Sequence, residues 1–162
     1  MAKLVKDPDA PFGRDPQGHV YTQQEYAERF NMLGEKGEHW FNFPLNDGAV
    51  PHTRVVYTKA EHYLRDHGPL LDRIGKTNGK YLAVMENGQP ASWEGRALHV
   101  NSLHDPYNSY TLGQLPEEWT IEVSEVAPGV GQSGGSIQVR VLDDEGNARS
   151  VVDLIRKGVL RT

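Results

Sequence analysis

At 162 residues the chain has the length of one domain, enough to bury a core without metal or disulfide staples. A net charge of -5 excludes generic nucleic-acid binding, so an anionic partner would need a local basic site. The absence of cysteine excludes disulfides, thiolate nucleophiles and thiolate metal centres.

No stretch approaches the roughly 20 apolar residues of a membrane span. The polar start Met1-Ala-Lys-Leu-Val-Lys6 has no signal-peptide core, so the chain reads as cytoplasmic or as a piece of a longer secreted protein. Residues 1–21 are rich in Asp, Pro and Gly without periodicity and are expected to form an arm or linker, with the domain proper at 22–162. Thr22-Gln-Gln-Glu25 has capping-box spacing, and Tyr26, Phe30 and Leu33 make an apolar stripe that ends at Gly34. This predicts a helix over 23–33. Trp40 to Gly48 mixes aromatics with turn formers and is expected to be irregular chain.

Thr58-Lys-Ala-Glu61 repeats the capping-box spacing and Gly68-Pro69 supplies a stop, predicting a short helix near 59–67. Leu70 to Gly75 should lead out of that helix into a sheet. Strands are expected at Tyr81–Met85, Arg96–Val100, Tyr107–Leu112, Trp119–Val126 and Ile137–Leu142, separated by Gly, Pro and Asn turns. A last helix is expected near 151–157, capped by Ser150 and stopped by Gly158. The predicted class is α+β, with a central mixed or antiparallel sheet and short N-terminal helices.

Gly129-Val-Gly131-Gln-Ser-Gly134 matches the dinucleotide fingerprint G-x-G-x-x-G, with Asp153 as an acidic residue downstream. That fingerprint requires a helix after the glycines, whereas Ser136-Ile-Gln-Val-Arg-Val-Leu142 alternates with a strand's period of two. A glycine turn between strands is the better reading. The alternation points Ile137, Val139 and Val141 into the core and sends Gln138 and Arg140 to the opposite, polar face.

Arg73 lies in an apolar segment, where its guanidinium must pair with a carboxylate or face a cleft. Arg96 is by default an ion pair, and Tyr81 a strand-start aromatic. The seven histidines show no His-x-x-x-His spacing, which argues against a histidine zinc site. No G-x-S-x-G or P-loop pattern supports serine or nucleotide-triphosphate hydrolysis.

Several segments, in order, resemble a known family. They are Trp40 with Phe43-Pro-Leu-Asn-Asp-Gly-Ala49, Leu71-Asp-Arg-Ile-Gly75, Gly79-Lys-Tyr-Leu82, Arg96-Ala-Leu98, Ala127 through Gln138, and Leu154-Ile-Arg-Lys-Gly-Val-Leu160. Over about residues 40–160 the chain resembles the tuberculosis necrotizing toxin family of NAD glycohydrolases. The resemblance implies a compact relative of the ADP-ribosyltransferase-like fold, with Arg73 and Gln138 as catalytic residues and Tyr81 and Arg96 lining the substrate site.

It also implies metal-independent hydrolysis without a cofactor, NAD itself being the substrate, and a cognate immunity protein as partner. The setting it implies is the catalytic domain of a longer secreted effector, acting in the cytosol of a target cell. Protein ADP-ribosylation and a non-enzymatic interaction module are the alternatives, and the first asks for a positioned glutamate. The loop Pro128-Gly-Val-Gly-Gln-Ser-Gly-Gly135 lacks the aromatic and the second proline of the family pattern, and Asn108 stands where some relatives carry histidine.

Overall fold

The computed structural model describes residues 4–14, 17–33, 39–41, 49–98, 100–128 and 132–162, with side chains not described at 27, 29–33, 39–41, 100 and 101. Of the segment Trp40 to Gly48, expected to be irregular, Trp40 and Phe41 lie in a strand instead, because they pair with Met32 and Asn31; residues 42–48, the stop at Gly34 and Gly129–Gly131 lie outside the described residues.

The first capping box forms as its spacing requires. Glu25 N–H donates to Thr22 Oγ1 at 3.2 Å and Thr22 N–H donates to Glu25 Oε1 at 3.0 Å, opening helix α1 over Gln23–Phe30. The helix stops earlier than its apolar stripe suggests. Asn31–Leu33 form strand β1, paired antiparallel with β2 at His39–Phe41, so ladder pairing takes over the backbone groups that a last helical turn would have used.

Helix α2 spans Ala60–His67 and ends at Gly68, whose φ of 76° only glycine adopts cheaply. The capping box expected at its start does not form: Lys59 is the cap residue and makes no side-chain cap bond. Helix α3 spans Val151–Arg156, with Ser150 Oγ accepting from Asp153 N–H as predicted.

The remaining strands are β3 (Val55–Tyr57), β4 (Leu70–Ile74), β5 (Leu82–Val84), β6 (Tyr107–Leu112), β7 (Thr120–Glu125), β8 (Ile137–Leu142) and β9 (Leu160–Arg161). They form one antiparallel seven-stranded sheet in the order β3-β7-β8-β5-β4-β6-β9, so the fold is α+β. Leu70–Ile74 is an interior strand of this sheet, not merely a lead into it.

Arg96–Val100, expected as a strand, is not one. Glu94–Arg96 and Val100–His104 are short 3-10 turns, and Ala97 between them has φ 47°, which no extended run contains. Gly134 N–H bonds Glu94 O and Ser136 N–H bonds Gly95 O, so the turn is fastened to the start of β8.

Alternation decides what each face carries. Leu71, Leu82, Val84, Tyr110, Ile121, Val123, Val139 and Val141 line one face, where Tyr63 of α2 and Val151 and Leu154 of α3 pack on them. Each such side chain fully buried is worth about 1.5–3 kcal/mol. The other face is flanked by a second cluster of Leu4, Ile74 and Trp93. Residues 4–21, expected as an arm, therefore include chain packed on the domain: Leu4, Ala10 and Tyr21 are buried, and the Glu94 carboxylate accepts the N–H groups of Lys6 and Asp7.

Candidate functional site

The polar face of the sheet is assembled by register. Ser109 pairs with Asp72, Asp72 with Ala83, Ala83 with Gln138 and Gln138 with Ser124, so these residues form one row across β6, β4, β5, β8 and β7. Directly paired residues share a face, and their neighbours along each strand belong to the opposite one. Ala83, itself buried, separates Asp72 from Gln138 in this row. Gln138 Nε2 donates to Ser124 Oγ at 3.0 Å, which fixes the amide.

One step further along the strands the same face carries Glu122 and Arg140, which pair across β7 and β8. Arg140 Nε and Nη2 donate to Glu122 Oε1 at 3.0 and 2.6 Å, and Arg54 Nε stands 3.7 Å from the same oxygen. The Arg140 guanidinium carbon lies 5.5 Å from the centroid of the Tyr81 ring, an aromatic that is 36% exposed. Gln138 and Tyr81, two of the residues singled out from sequence, are thus neighbours of Arg140 on one face.

Arg96 packs against this face through Asp72. Its Nη1 and Nη2 bond Asp72 Oδ1 and Oδ2 at 2.6 and 2.8 Å, and Nη2 and Nε donate to Ala91 O at 2.9 and 3.3 Å. Asp72 is wholly buried and the Arg96 side chain nearly so. Tyr107 Oη donates to Asp72 Oδ2 at 2.9 Å, and burial together with that carboxylate pushes the Tyr107 hydroxyl up to about 12. The Arg96 fork is therefore committed to the protein's own carboxylate, which is the default reading the sequence offered for it.

Arg73 is on the other side of the sheet. It follows Asp72 on β4 and pairs with Asn108, so both alternate away from Gln138. Its Nε donates to Lys76 O at 2.9 Å and its Nη1 to Tyr81 O at 2.8 Å, which pins the 76–81 loop. A side chain at Gly79 would fall on the Arg73 guanidinium, which would have to move aside to admit it. Burial draws the guanidinium below its ordinary value, while Tyr110 and Asp105 act in the opposite direction. Arg73 thus holds the backbone of Tyr81, whose ring lies against Arg140 on the face of Gln138.

Sequence reasoning overlooked Asp72, Glu122 and Ser124. The signal for the last two was present: in Thr120-Ile-Glu-Val-Ser-Glu125 the period of two buries Ile121 and Val123 in the core and turns Glu122 and Ser124 to the face of Gln138. Two other glutamates lie elsewhere, Glu94 holding the N-terminal backbone and Glu125 pairing with Ile137 at the strand end. The dinucleotide fingerprint is absent as a structure, since strand β8 and not a helix comes after Gly134-Gly135.

The model of the tuberculosis necrotizing toxin family matches residues 66–162. The outer membrane channel proteins CpnT of Mycobacterium tuberculosis (strain ATCC 25618 / H37Rv) and Mycobacterium bovis (strain BCG / Pasteur 1173P2) are each 63% identical over 161 residues. Those matches cover 99% of this chain and 19% of the relatives, so the chain spans about a fifth of their length. The solved structure of tuberculosis necrotizing toxin complexed with its immunity factor IFT superposes with a TM-score of 0.97 at 63% identity, covering 99% of this chain and 81% of that one. By family model, sequence identity and fold together, the chain belongs to the tuberculosis necrotizing toxin family.

Proposed function

We propose that the chain hydrolyses NAD at the nicotinamide–ribose bond, releasing nicotinamide and ADP-ribose. The observation that carries this reading is the amide of Gln138, fixed by Ser124 on the polar face beside Tyr81 and Arg140. Nicotinamide departs from NAD as a neutral ring, the electron pair of the C1′–N bond returning to the ring nitrogen, so the leaving group needs no proton. Water oxygen then bonds C1′ and one proton passes to solvent. What the protein must supply is orientation and electrostatic support for an oxocarbenium-like ribose. An immobilised amide can orient the water or a ribose hydroxyl without placing another cation where positive charge develops.

Tyr81 forms an aromatic wall of the site. Arg73 acts as a positioning residue through its bond to Tyr81 O, and Arg96, bound to Asp72, supports the floor. No cofactor or metal takes part in this scheme. A cognate immunity protein is proposed as partner by analogy with the family member solved with its own immunity factor. Secretion as part of a longer effector and action in a target-cell cytosol belong to the same proposal. No helix among the described residues is long and apolar enough to cross a membrane.

A second reading has one observation in its favour. Protein ADP-ribosylation asks for a glutamate near the site, and Glu122 stands on the face of Gln138, although Arg140 holds it. One experiment separates the readings: NAD is incubated with the purified protein and a chelator, and nicotinamide, ADP-ribose and protein-bound ADP-ribose are quantified. Equal release of nicotinamide and ADP-ribose is expected, with Gln138→Ala, shown folded by circular dichroism, slower by about 10²-fold or more. Intact NAD, or undiminished turnover by that variant, would overturn the proposal, and label transferred to protein would favour the second reading.

A further inference from the structure

We infer that residues 4–7 form a strap that fixes the entry of β8 through Glu94, so that the chain just before Gln138 stays ordered only while the N-terminal segment is docked. Its consequence for turnover rests on the reading of Gln138 as the residue that carries hydrolysis, whereas the strap itself does not.

Glu94 is bonded on two sides. Its carboxylate accepts Lys6 N–H, 2.8 and 2.9 Å from the two oxygens, and Asp7 N–H. Its carbonyl accepts Gly134 N–H at 3.1 Å, and the next carbonyl, of Gly95, accepts Ser136 N–H at 3.0 Å and Ser136 Oγ–H at 2.7 Å. One residue, 88 positions from Lys6, therefore joins the start of the chain to the residues that lead into β8. The carboxylate is buried, and a buried charge without its donors is costly, so the turn Glu94–Arg96 and the strap depend on each other. Apolar packing holds the strap as well: Leu4 is buried with Ile74 and Trp93, and Trp93 N–H donates to Leu4 O at 2.8 Å.

The entry of β8 is clamped between two walls. On one side Gly135 N–H donates to Val126 O and Val126 N–H to Ser136 O, both at 2.8 Å, and on the other stand Glu94 O and Gly95 O. A Cβ at Gly134 would stand 2.6 Å from Val126 O, so this stretch has no slack toward the first wall. Gln138 lies two residues past Ser136. Undocking the strap removes the support of the second wall, while Arg96, the next residue of the turn, keeps its own anchor on Asp72. The loosening is therefore local to the entry of β8 and leaves the sheet intact.

The test is amide hydrogen exchange read by NMR on the full chain, with NAD turnover measured alongside. In the wild type at low urea, the amides of Lys6, Asp7, Gly134 and Ser136 are expected to share one opening transition, well before that of Val139 and Val141. Leu4→Ala loosens the strap without touching Glu94, and Glu94→Gln puts an amide where Lys6 and Asp7 N–H need acceptors. Each should speed exchange at Gly134 and Ser136 by ~10-fold or more and leave Val139 and Val141 within a few-fold; kcat should fall several-fold with KM for NAD little changed. Separate transitions in the wild type would overturn the strap, as would unchanged exchange at Gly134 and Ser136 in either folded variant, or a rise spread evenly over the core strands. Faster exchange with unchanged kcat would overturn the link to Gln138. If the wild type leaves NAD intact while the exchange pattern holds, hydrolysis fails and the strap stands.

Discussion

The two faces of the seven-stranded sheet use the same strands for opposite ends. Under α2 and α3, side chains such as Leu71, Val139 and Val141 are closed in an apolar core, where any polar atom would have to find a partner. On the other face, residues one position away on the same strands, Asp72, Gln138 and Arg140, carry polar groups already paired to Arg96, Ser124 and Glu122. A strand's period of two lets adjacent residues serve an apolar core and a polar face independently. Asp72 and Arg73 show this most directly: neighbours in sequence, they work on opposite sides of the sheet.

The comparison breaks most visibly if the floor of the polar face is removed. Asp72 is fully buried and accepts three bonds, two from Arg96 and one from Tyr107. Asp72→Ala leaves the Arg96 charge buried without its partner, and a loss of about 3–5 kcal/mol is expected. Urea denaturation of the purified domain measures it. A loss below about 1 kcal/mol would mean that the pair is not structural and that Arg96 can turn toward a ligand.

A smaller effect sharpens the assignment of Arg73. Gly79→Ala would push the Arg73 guanidinium off Lys76 O and Tyr81 O without altering Arg73 itself. Arg73→Ala and Gly79→Ala are each expected to cost about 1–3 kcal/mol and to slow NAD turnover together, through Tyr81. Because both disrupt one contact, the double variant should cost little more than either alone, which a double-mutant cycle reads directly. Strict additivity would show that Gly79 acts by another route and would remove the proposed coupling to Tyr81.

How much of this is legible in the sequence depends on the range of each interaction. The alternation in Ile137–Leu142 and Tyr107–Leu112 is local, and it marks both strands to the residue, together with the polar orientation of Gln138 and Arg140. Arg96-Ala-Leu-His-Val100 imitates the same alternation, but Arg96 is tied to Asp72, 24 positions earlier, and Glu94 and Gly95 just before it are bonded by Gly134 and Ser136. The opposite placement of Arg73 and Gln138 depends on register through β5, which ties Asp72 to Ala83 and Ala83 to Gln138. Strand β3 has only three residues, two of them half-exposed valines, too short for periodicity to mark.

The smallest expected effect concerns the third bond to Asp72. Tyr107 keeps its proton to about 12 against an ordinary 10.0, because burial and the Asp72 carboxylate both disfavour the phenolate. A group whose folded value is raised stabilises fully below its unfolded value, and the contribution is lost as pH rises through the folded one. The Tyr107 bond is therefore complete at pH 8 and fades between about 10 and 12. Tyr107→Phe should cost about 1–2 kcal/mol at pH 8, and its stability should approach that of the wild type as pH is raised toward 11. Tyr57, Tyr63 and Tyr110 are also raised by burial, but they are common to both proteins and cancel in the difference. A gap that stayed constant with pH would show that Tyr107 stabilises by packing against Arg96, 5.9 Å from its ring, rather than by donating to Asp72.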